Sequence, residues 1–237
     1  MKYVLFDLDG TLLPLDTDKF VKGYLKALSE KMANRIEPEL FIPKLLSATE
    51  AMVLNLENKT NEEVFAEHFF KDCLEDKDNI LQQFEEFYLN EFKSLQVHSA
   101  RHDSNILEML DYLKSKGAGV IIATNPLFPL VAVKERLRWI DIEEYEFDLI
   151  TSYEKMKYCK PHLQYYEQIL EELNAKPEDC LMVGNDMQED MVASKLGMKT
   201  FLLEGYLIDR KTSYFEPTYR GSLLDLQDCI VSLYKNP

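Results

Sequence analysis

The sequence is poor in the residues that build fibrous, stapled or low-complexity chains. Its 237 residues include 8 glycines, 9 prolines and 4 cysteines. So little glycine and proline excludes collagen-like and low-complexity architectures. The cysteines, Cys73, Cys159, Cys180 and Cys229, are scattered and form no CxxC pair. Free thiols in a reducing cytoplasm are therefore expected, not a zinc site or a disulfide frame. Positive charge is short as well: 27 Lys plus Arg stand against 42 Asp plus Glu, for a net charge of -15. Nucleic acid and anionic membrane surfaces both need clustered cations, so neither is an expected partner. Long apolar runs are missing too. The longest uncharged stretch, 117–133, is broken by Thr124, Asn125, Pro126 and Pro129, and is too short to span a bilayer. Asp7 interrupts the apolar start too early for a signal peptide. With 46% hydrophobic residues the chain still has enough for a core, which excludes wholesale disorder.

Runs at 3–8, 119–123, 147–151, 181–183 and 199–203 are short and almost wholly apolar. Such runs suit parallel strands buried on both faces. Amphipathic patterns at 104–116, 129–139, 161–173 and 187–196 alternate with the later strands. Gly117 and Gly197 follow two of them, where helices commonly end. The alternation predicts an α/β fold, a three-layer Rossmann-like parallel sheet between helices. Residues 15–100 break it, for they contain no strand-like run. Phe20, Val21, Tyr24, Leu25 and Leu28 recur at helical spacing within 18–32. Thr60-Asn61-Glu62-Glu63 spells a capping box ahead of Val64, Phe65, Phe69 and Phe70. Residues 80–95 read as a further amphipathic helix. The expected organisation is a core of residues 1–14 and 101–237, interrupted by a helical module at 15–100. An all-helical stretch this long is unusual between adjacent strands of a simple sheet. The tail from 204 onward, with a helix-like pattern at 223–234, reads as a sheet edge or core cover without chemical signal.

Four short segments carry chemistry. Asp7 and Asp9 stand two apart at the end of the first strand, so both point to one side of an extended chain. Gly10 then permits a sharp turn. Strand ends are where open α/β sheets bind ligands. The pair offers a nucleophile, a proton carrier and oxygens for a hard cation, although an Asp-Gly turn with incidental acids has the same spelling. Thr124 puts a hydroxyl at the tip of the second core strand. The backbone after it can hold an anion, or simply open a helix. Lys160 precedes Pro161, a helix-start residue, where it is either a surface lysine or a counter-ion for a phosphate. Gly184-Asn185-Asp186 makes a tight turn, with Asp190 four residues beyond Asp186. Acids there serve either a cation or a helix terminus, and the second role accounts for Glu189.

Taken together, these segments resemble the four motifs of the haloacid dehalogenase-like (HAD) hydrolase superfamily, in the family's order. The resemblance covers roughly 1–14 and 100–203. Asp7-Leu8-Asp9-Gly10-Thr11 matches the first motif in full, while Asn185 gives the last motif a spacing variant. The helical module resembles the cap that one subgroup carries after the first strand. The resemblance implies a phosphomonoesterase acting on a small phosphorylated substrate, with Asp7 as nucleophile and Asp9 as general acid and base. It implies Mg²⁺ held by Asp7, the Asp9 carbonyl and Asp186, with phosphate held by Thr124, Asn125 and Lys160. Gly10, Thr11 and Asp190 take supporting roles. Asp16, Lys19, Lys22, Lys44 and Lys59 are the polar candidates of the cap. A phosphomutase and a phosphonatase resemble the same core. Dehalogenases of the family generally lack the second acid and use no Mg²⁺. A non-enzymatic binding protein is the remaining alternative.

Overall fold

A computed structural model of the chain describes residues 1–71, 77–99 and 105–235. Six strands form one sheet: β1 (Tyr3–Phe6), β2 (Gly119–Ile122), β3 (Leu149–Ile150), β4 (Cys180–Gly184), β5 (Lys199–Leu203) and β6 (Tyr219–Gly221). Their order is β3-β2-β1-β4-β5-β6, and every pairing is parallel. The chain therefore builds outward from β1 on one side, then returns to build outward from β4 on the other. The crevice beyond the carboxyl ends of β1 and β4 is the switch point of such a sheet.

Alternation along the strands assigns the two faces. Val4 and Phe6 join Val120, Ile122, Leu181 and Val183 in one apolar layer. Over that layer lie α5 (Asn105–Ser115), α6 (Leu130–Arg138) and α8 (Leu223–Lys235), through Leu110, Leu137 and Leu226 among others. Leu5, Ile121 and Met182 face the other way. There they meet Tyr165, Tyr166 and Ile169 of α7 (Leu163–Leu173). The strand expected at 147–151 shrinks to β3. The tail completes the sheet edge as β6 and covers the core as α8.

Between β1 and α5 lie α1 (Thr17–Met32), α2 (Pro38–Leu54), α3 (Asn61–Phe69), α4 (Lys77–Leu89) and a 3₁₀ segment, Glu91–His98. Asp16 caps α1 by accepting the Lys19 N–H. Thr60 and Glu63 form the capping box that their spelling predicts, each accepting a backbone N–H. The pattern at 80–95 does not continue as one helix. Asn90 leaves helical geometry and its amide donates to the Glu86 carbonyl at 2.8 Å, which ends α4. Helix α2 matches no expectation from the sequence. Exposed Leu40, Leu46 and Leu54 blur its apolar stripe, and Pro43 lies inside it.

The ends of this helical segment stand side by side, with Leu15 bridged antiparallel to Ser99. Aromatic rings join it to the sheet layers. Phe92 stacks on Trp139 at 5.5 Å between centroids and meets Phe20 edge-on at 6.1 Å. Phe128 touches Phe20, Tyr24 and Phe92.

Two further helix expectations are corrected. Residues 187–196 are not an α-helix: the turn after β4 gives way to a 3₁₀ segment, Met191–Leu196, closed by Gly197 at φ +95°. The Asp186 carboxylate accepts the Gln188 and Glu189 N–H groups and Asp190 accepts the Asp186 N–H, as side chains do at a helix start, but the chain continues as 3₁₀. Helix α7 starts at Leu163, so Pro161 precedes it rather than opening it. Cys159, Cys180 and Cys229 are free thiols. Cys73, the expected helix start at Ser104 and the module boundary at 100–101 lie outside the described residues. Among the described residues no helix is long and apolar enough to cross a membrane.

Phe92 is wholly buried, so Phe92→Ala should lower the unfolding free energy by about 3–5 kcal/mol. Urea denaturation followed by circular dichroism reads this directly. A loss below about 1 kcal/mol would show that the aromatic joint bears little load.

Candidate active site

Register fixes the frame of the site. Phe6 pairs with Val183 on one side and Ile122 on the other, and the Asp7 N–H donates to the Val183 carbonyl at 2.9 Å. The chains leaving β1, β2 and β4 therefore emerge side by side. After Asp9 the backbone folds on itself, with the Gly10 and Leu13 N–H groups donating to the Leu13 and Leu8 carbonyls. Gly10 has φ +81°, and a Cβ on it would collide with the Asn185 side-chain amide. Glycine here satisfies both the turn and the close approach of the β4 loop.

The Lys160 ammonium stands at the centre, 1% exposed. It donates to Asp7 Oδ1 at 2.9 Å and to Asp190 Oδ1 at 2.6 Å. Burial works against the charged ammonium, but Asp190 and Asp7 outweigh it and hold its pKa well above the ordinary lysine value. The Thr11 hydroxyl donates toward Asp7 Oδ2 and Asn185 Oδ1, each at 3.2 Å. Asp190 Oδ2 accepts the Asp186 N–H at 2.9 Å, so one acid binds the lysine and shapes the turn. Asp186 Oδ1 accepts the N–H groups of Gln188 and Glu189, both at 2.9 Å. That leaves Oδ2 for the cavity.

Thr124 is buried and lines the same cavity. Its carbonyl is fixed by the hydroxyls of Thr151 at 2.7 Å and Tyr165 at 2.9 Å. The Asn125 side chain ties loops together, accepting the Lys160 N–H at 3.2 Å and donating to Glu189 Oε2 at 3.1 Å. The cavity holds about 230 Å³ and opens between these loops and the helical segment. Asp7, Asp9, Thr124, Asn125, Asp186 and Asp190 line it, and Thr17, Phe20 and Val21 close its far side. None of Asp16, Lys19, Lys22, Lys44 and Lys59 lines it. Lys19 pairs with Asp16, and Lys59 with Glu57 and Glu67, on exposed surface.

A pair of aspartates, a lysine, a strand-tip threonine and a turn of acids thus meet at one switch point. A family model for haloacid dehalogenase-like hydrolases matches residues 1–196. The chain belongs to this family. The pyrophosphatase PpaX of Bacillus cereus (strain G9842) is 24% identical over 234 residues, spanning 98% of this chain and 96% of its own length. Among solved structures, a HAD phosphatase from Thermococcus onnurineus superposes with a TM-score of 0.59 at 19% identity, covering 97% and 98% of the two chains. The HAD hydrolase YfnB of Bacillus subtilis, described as bound to magnesium and as showing interdomain movement, gives 0.56 at 19%, covering 97% and 99%.

Three residues of this HAD site escape sequence reasoning. Arg136 of α6 is 1% exposed, forms an ion pair with Asp9 Oδ2 and lies 4.6 Å from the Phe128 ring centre. Arg210 comes from the tail, which read as chemically silent; it reaches Asp186 Oδ2 at 2.6 Å and Glu189 Oε1 at 3.2 Å. Glu189, read as a helix-terminus acid, instead lines the cavity between Arg210 and Asn125. No local pattern marks Arg136 or Arg210, because long-range packing brings them in, whereas Glu189 lies in the turn after Asp186 and reads there in another role.

Removing the Lys160 charge leaves two buried carboxylates facing each other. Lys160→Met should cost about 3–5 kcal/mol of folding stability, and adding Asp190→Asn should return part of that. A double-mutant cycle in urea measures both. Independent, additive effects would show that the bridge is not a structural unit.

Proposed function

We propose that the chain is a Mg²⁺-dependent phosphomonoesterase that acts on a small phosphorylated metabolite through an aspartyl-phosphate. One observation carries the reading: the Asp7 carboxylate is held by the buried Lys160 ammonium and the Thr11 hydroxyl at the switch point, with a second acid, Asp9, lining the same cavity. The phosphatase names of the relatives at similar length support it.

In this reading Asp7 attacks phosphorus, the bond to the leaving oxygen breaks, and Asp9 gives that oxygen its proton. A water then attacks the aspartyl-phosphate and loses its proton to Asp9. The phosphorus–Asp7 bond breaks, orthophosphate leaves, and both acids return to their starting states. Burial raises the Asp9 carboxyl above the usual range while Arg136 pulls it down, and a raised carboxyl suits a proton donor. The Thr124 hydroxyl, the Asn125 backbone and Lys160 would bind the non-bridging oxygens.

The donor set fits a hard cation. Among the described residues no cluster of three or more His, Cys, Asp or Glu side chains is arranged for a metal. Mg²⁺ needs only one or two carboxylates beside waters and phosphate. Asp186 Oδ2 already carries a cationic partner, the Arg210 guanidinium, so the position is one that positive charge occupies. Asp7, Asp186 and the Asp9 carbonyl oxygen would hold Mg²⁺. Bound there, it neutralises the repulsion between an anionic nucleophile and an anionic substrate. Residues 15–100 act as the cap over this site. Leu15, Thr17, Phe20 and Val21 are its cavity-lining residues among the described ones, and closure would exclude bulk water. The free thiols suit a reducing, cytoplasmic setting.

Asp7→Asn should abolish hydrolysis of an aryl phosphate, read as released phenolate. Turnover retained within about tenfold would remove Asp7 as the nucleophile. Exhaustive EDTA treatment should silence the enzyme, and added Mg²⁺ should restore it. Full activity after chelation would remove the metal site.

A further inference from the structure

The cavity wall is strongly acidic. Asp7, Asp9, Asp186, Glu189 and Asp190 all line it, and Arg210 is the cationic residue lining it among the described residues. Lys160 and Arg136, the other cations nearby, are buried; the first is shared between Asp7 and Asp190 and the second is paired with Asp9. Any negative charge on the leaving fragment of a substrate would meet a wall of carboxylates unless Arg210 answered it.

Arg210 is built into this position. Its N–H donates to Gln188 Oε1 at 2.8 Å. The buried Gln188 amide in turn donates to Asp209 Oδ1 at 2.9 Å and to the Ser213 carbonyl at 2.7 Å. The Ile208 N–H donates to the Asn185 carbonyl, and the Met187 N–H to the Ile208 carbonyl, both at 2.9 Å. The Asn185 amide donates to the Tyr206 carbonyl at 2.7 Å. The strap at 206–213 is therefore fastened to the turn that carries Asp186, and it presents one guanidinium to the cavity. The Arg210 side chain is 48% exposed, and its guanidinium divides its fork between two carboxylates, Asp186 and Glu189. A divalent cation on Asp186 would repel it from that oxygen, leaving Glu189 to hold one side of the fork. The freed side is a planar pair of donors, the geometry that carboxylates and phosphates accept best.

We propose that Arg210 is a specificity-determining residue that selects phosphate substrates whose leaving fragment itself carries an anionic oxygen group, a carboxylate or a second phosphate. This rests on the phosphatase reading above and names its substrate class. Lys160 and Thr124 engage the transferred phosphoryl group, while Arg210 engages the fragment that departs.

The test compares two classes of substrate on the full chain with Mg²⁺. Pyrophosphate and 2-phosphoglycolate carry anionic leaving fragments, whereas ethyl phosphate and 2-hydroxyethyl phosphate carry neutral ones. The wild type should prefer the first pair. Arg210→Gln should lower the ratio of kcat/KM, anionic over neutral, by about 10–100-fold, the worth of one or two charge-assisted hydrogen bonds. Arg210→Lys should recover part of the ratio, and thermal melts by circular dichroism establish that both variants are folded. Titration calorimetry on Asp7→Asn with Mg²⁺ reads the same selectivity without turnover: adding Arg210→Gln should weaken pyrophosphate far more than orthophosphate. An unchanged ratio, or an equal loss on both classes, would overturn the inference and leave the phosphatase reading standing. Loss confined to pyrophosphate or to 2-phosphoglycolate would keep the inference and identify which anion is recognised. If the wild type hydrolyses none of the four, the phosphatase reading fails, and the calorimetric ratio alone then decides the role of Arg210.

Discussion

A single buried ammonium organises the site. Lys160 sits between Asp7 and Asp190, and these acids come from the ends of different strands. Without a cation there, two loops would deliver carboxylates into one small volume and repel one another. With it, the acids can be buried, because each charge has a partner and the pairs are hydrogen-bonded. The ammonium therefore bears on folding and chemistry at once. It brings the chain after β3 to the carboxyl ends of β1 and β4, and it leaves the second oxygen of Asp7 to Thr11 and the cavity.

That centre depends on the sheet order. Since β1 lies between β2 and β4, loops distant in sequence leave the sheet as neighbours. Asn185 fastens two of them, accepting from Thr11 and donating to the Tyr206 carbonyl. Gly10 leaves the space for that amide, and Gly184 leaves the space for Asp190, whose carboxylate stands where a Cβ would be. Absent side chains are thus as much a part of the geometry as the acids.

What is legible in the sequence follows from the range of the forces involved. Buried parallel strands announce themselves by apolar runs, and Asp7, Asp9, Thr124, Lys160 and Asp186 each stand beside a strand end or helix start that local pattern reveals. Capping is equally local, and Thr60 with Glu63 forms as spelled. Helix α2 is not legible, because exposed leucines erase its periodicity. The helix expected after Asp186 gives way to a turn and a 3₁₀ segment, and helical spacing alone does not distinguish these from an α-helix. Arg136 and Arg210 look like ordinary surface cations in the sequence. Their positions are set by packing across more than a hundred residues in one case, and by the strap from the tail in the other.

The excess of acid over base now has a local meaning. Most of the 42 acids lie elsewhere, but the cavity concentrates Asp7, Asp9, Asp186, Glu189 and Asp190 within one wall. Each cation near them has a distinct carboxylate to answer. Lys160 answers Asp7 and Asp190, Arg136 answers Asp9, and Arg210 answers Asp186 and Glu189. Of these guanidinium and ammonium groups, only that of Arg210 is substantially open to solvent. Arg136 is the opposite case, with one nitrogen and the second Asp9 oxygen both buried without partners. Its guanidinium rests against Phe128, the ring on which Phe20, Tyr24 and Phe92 of the helical segment also pack. One shared ring thus links that segment to the partner of Asp9, so the packing that joins the helices to the sheet also reaches the acid that would carry the proton.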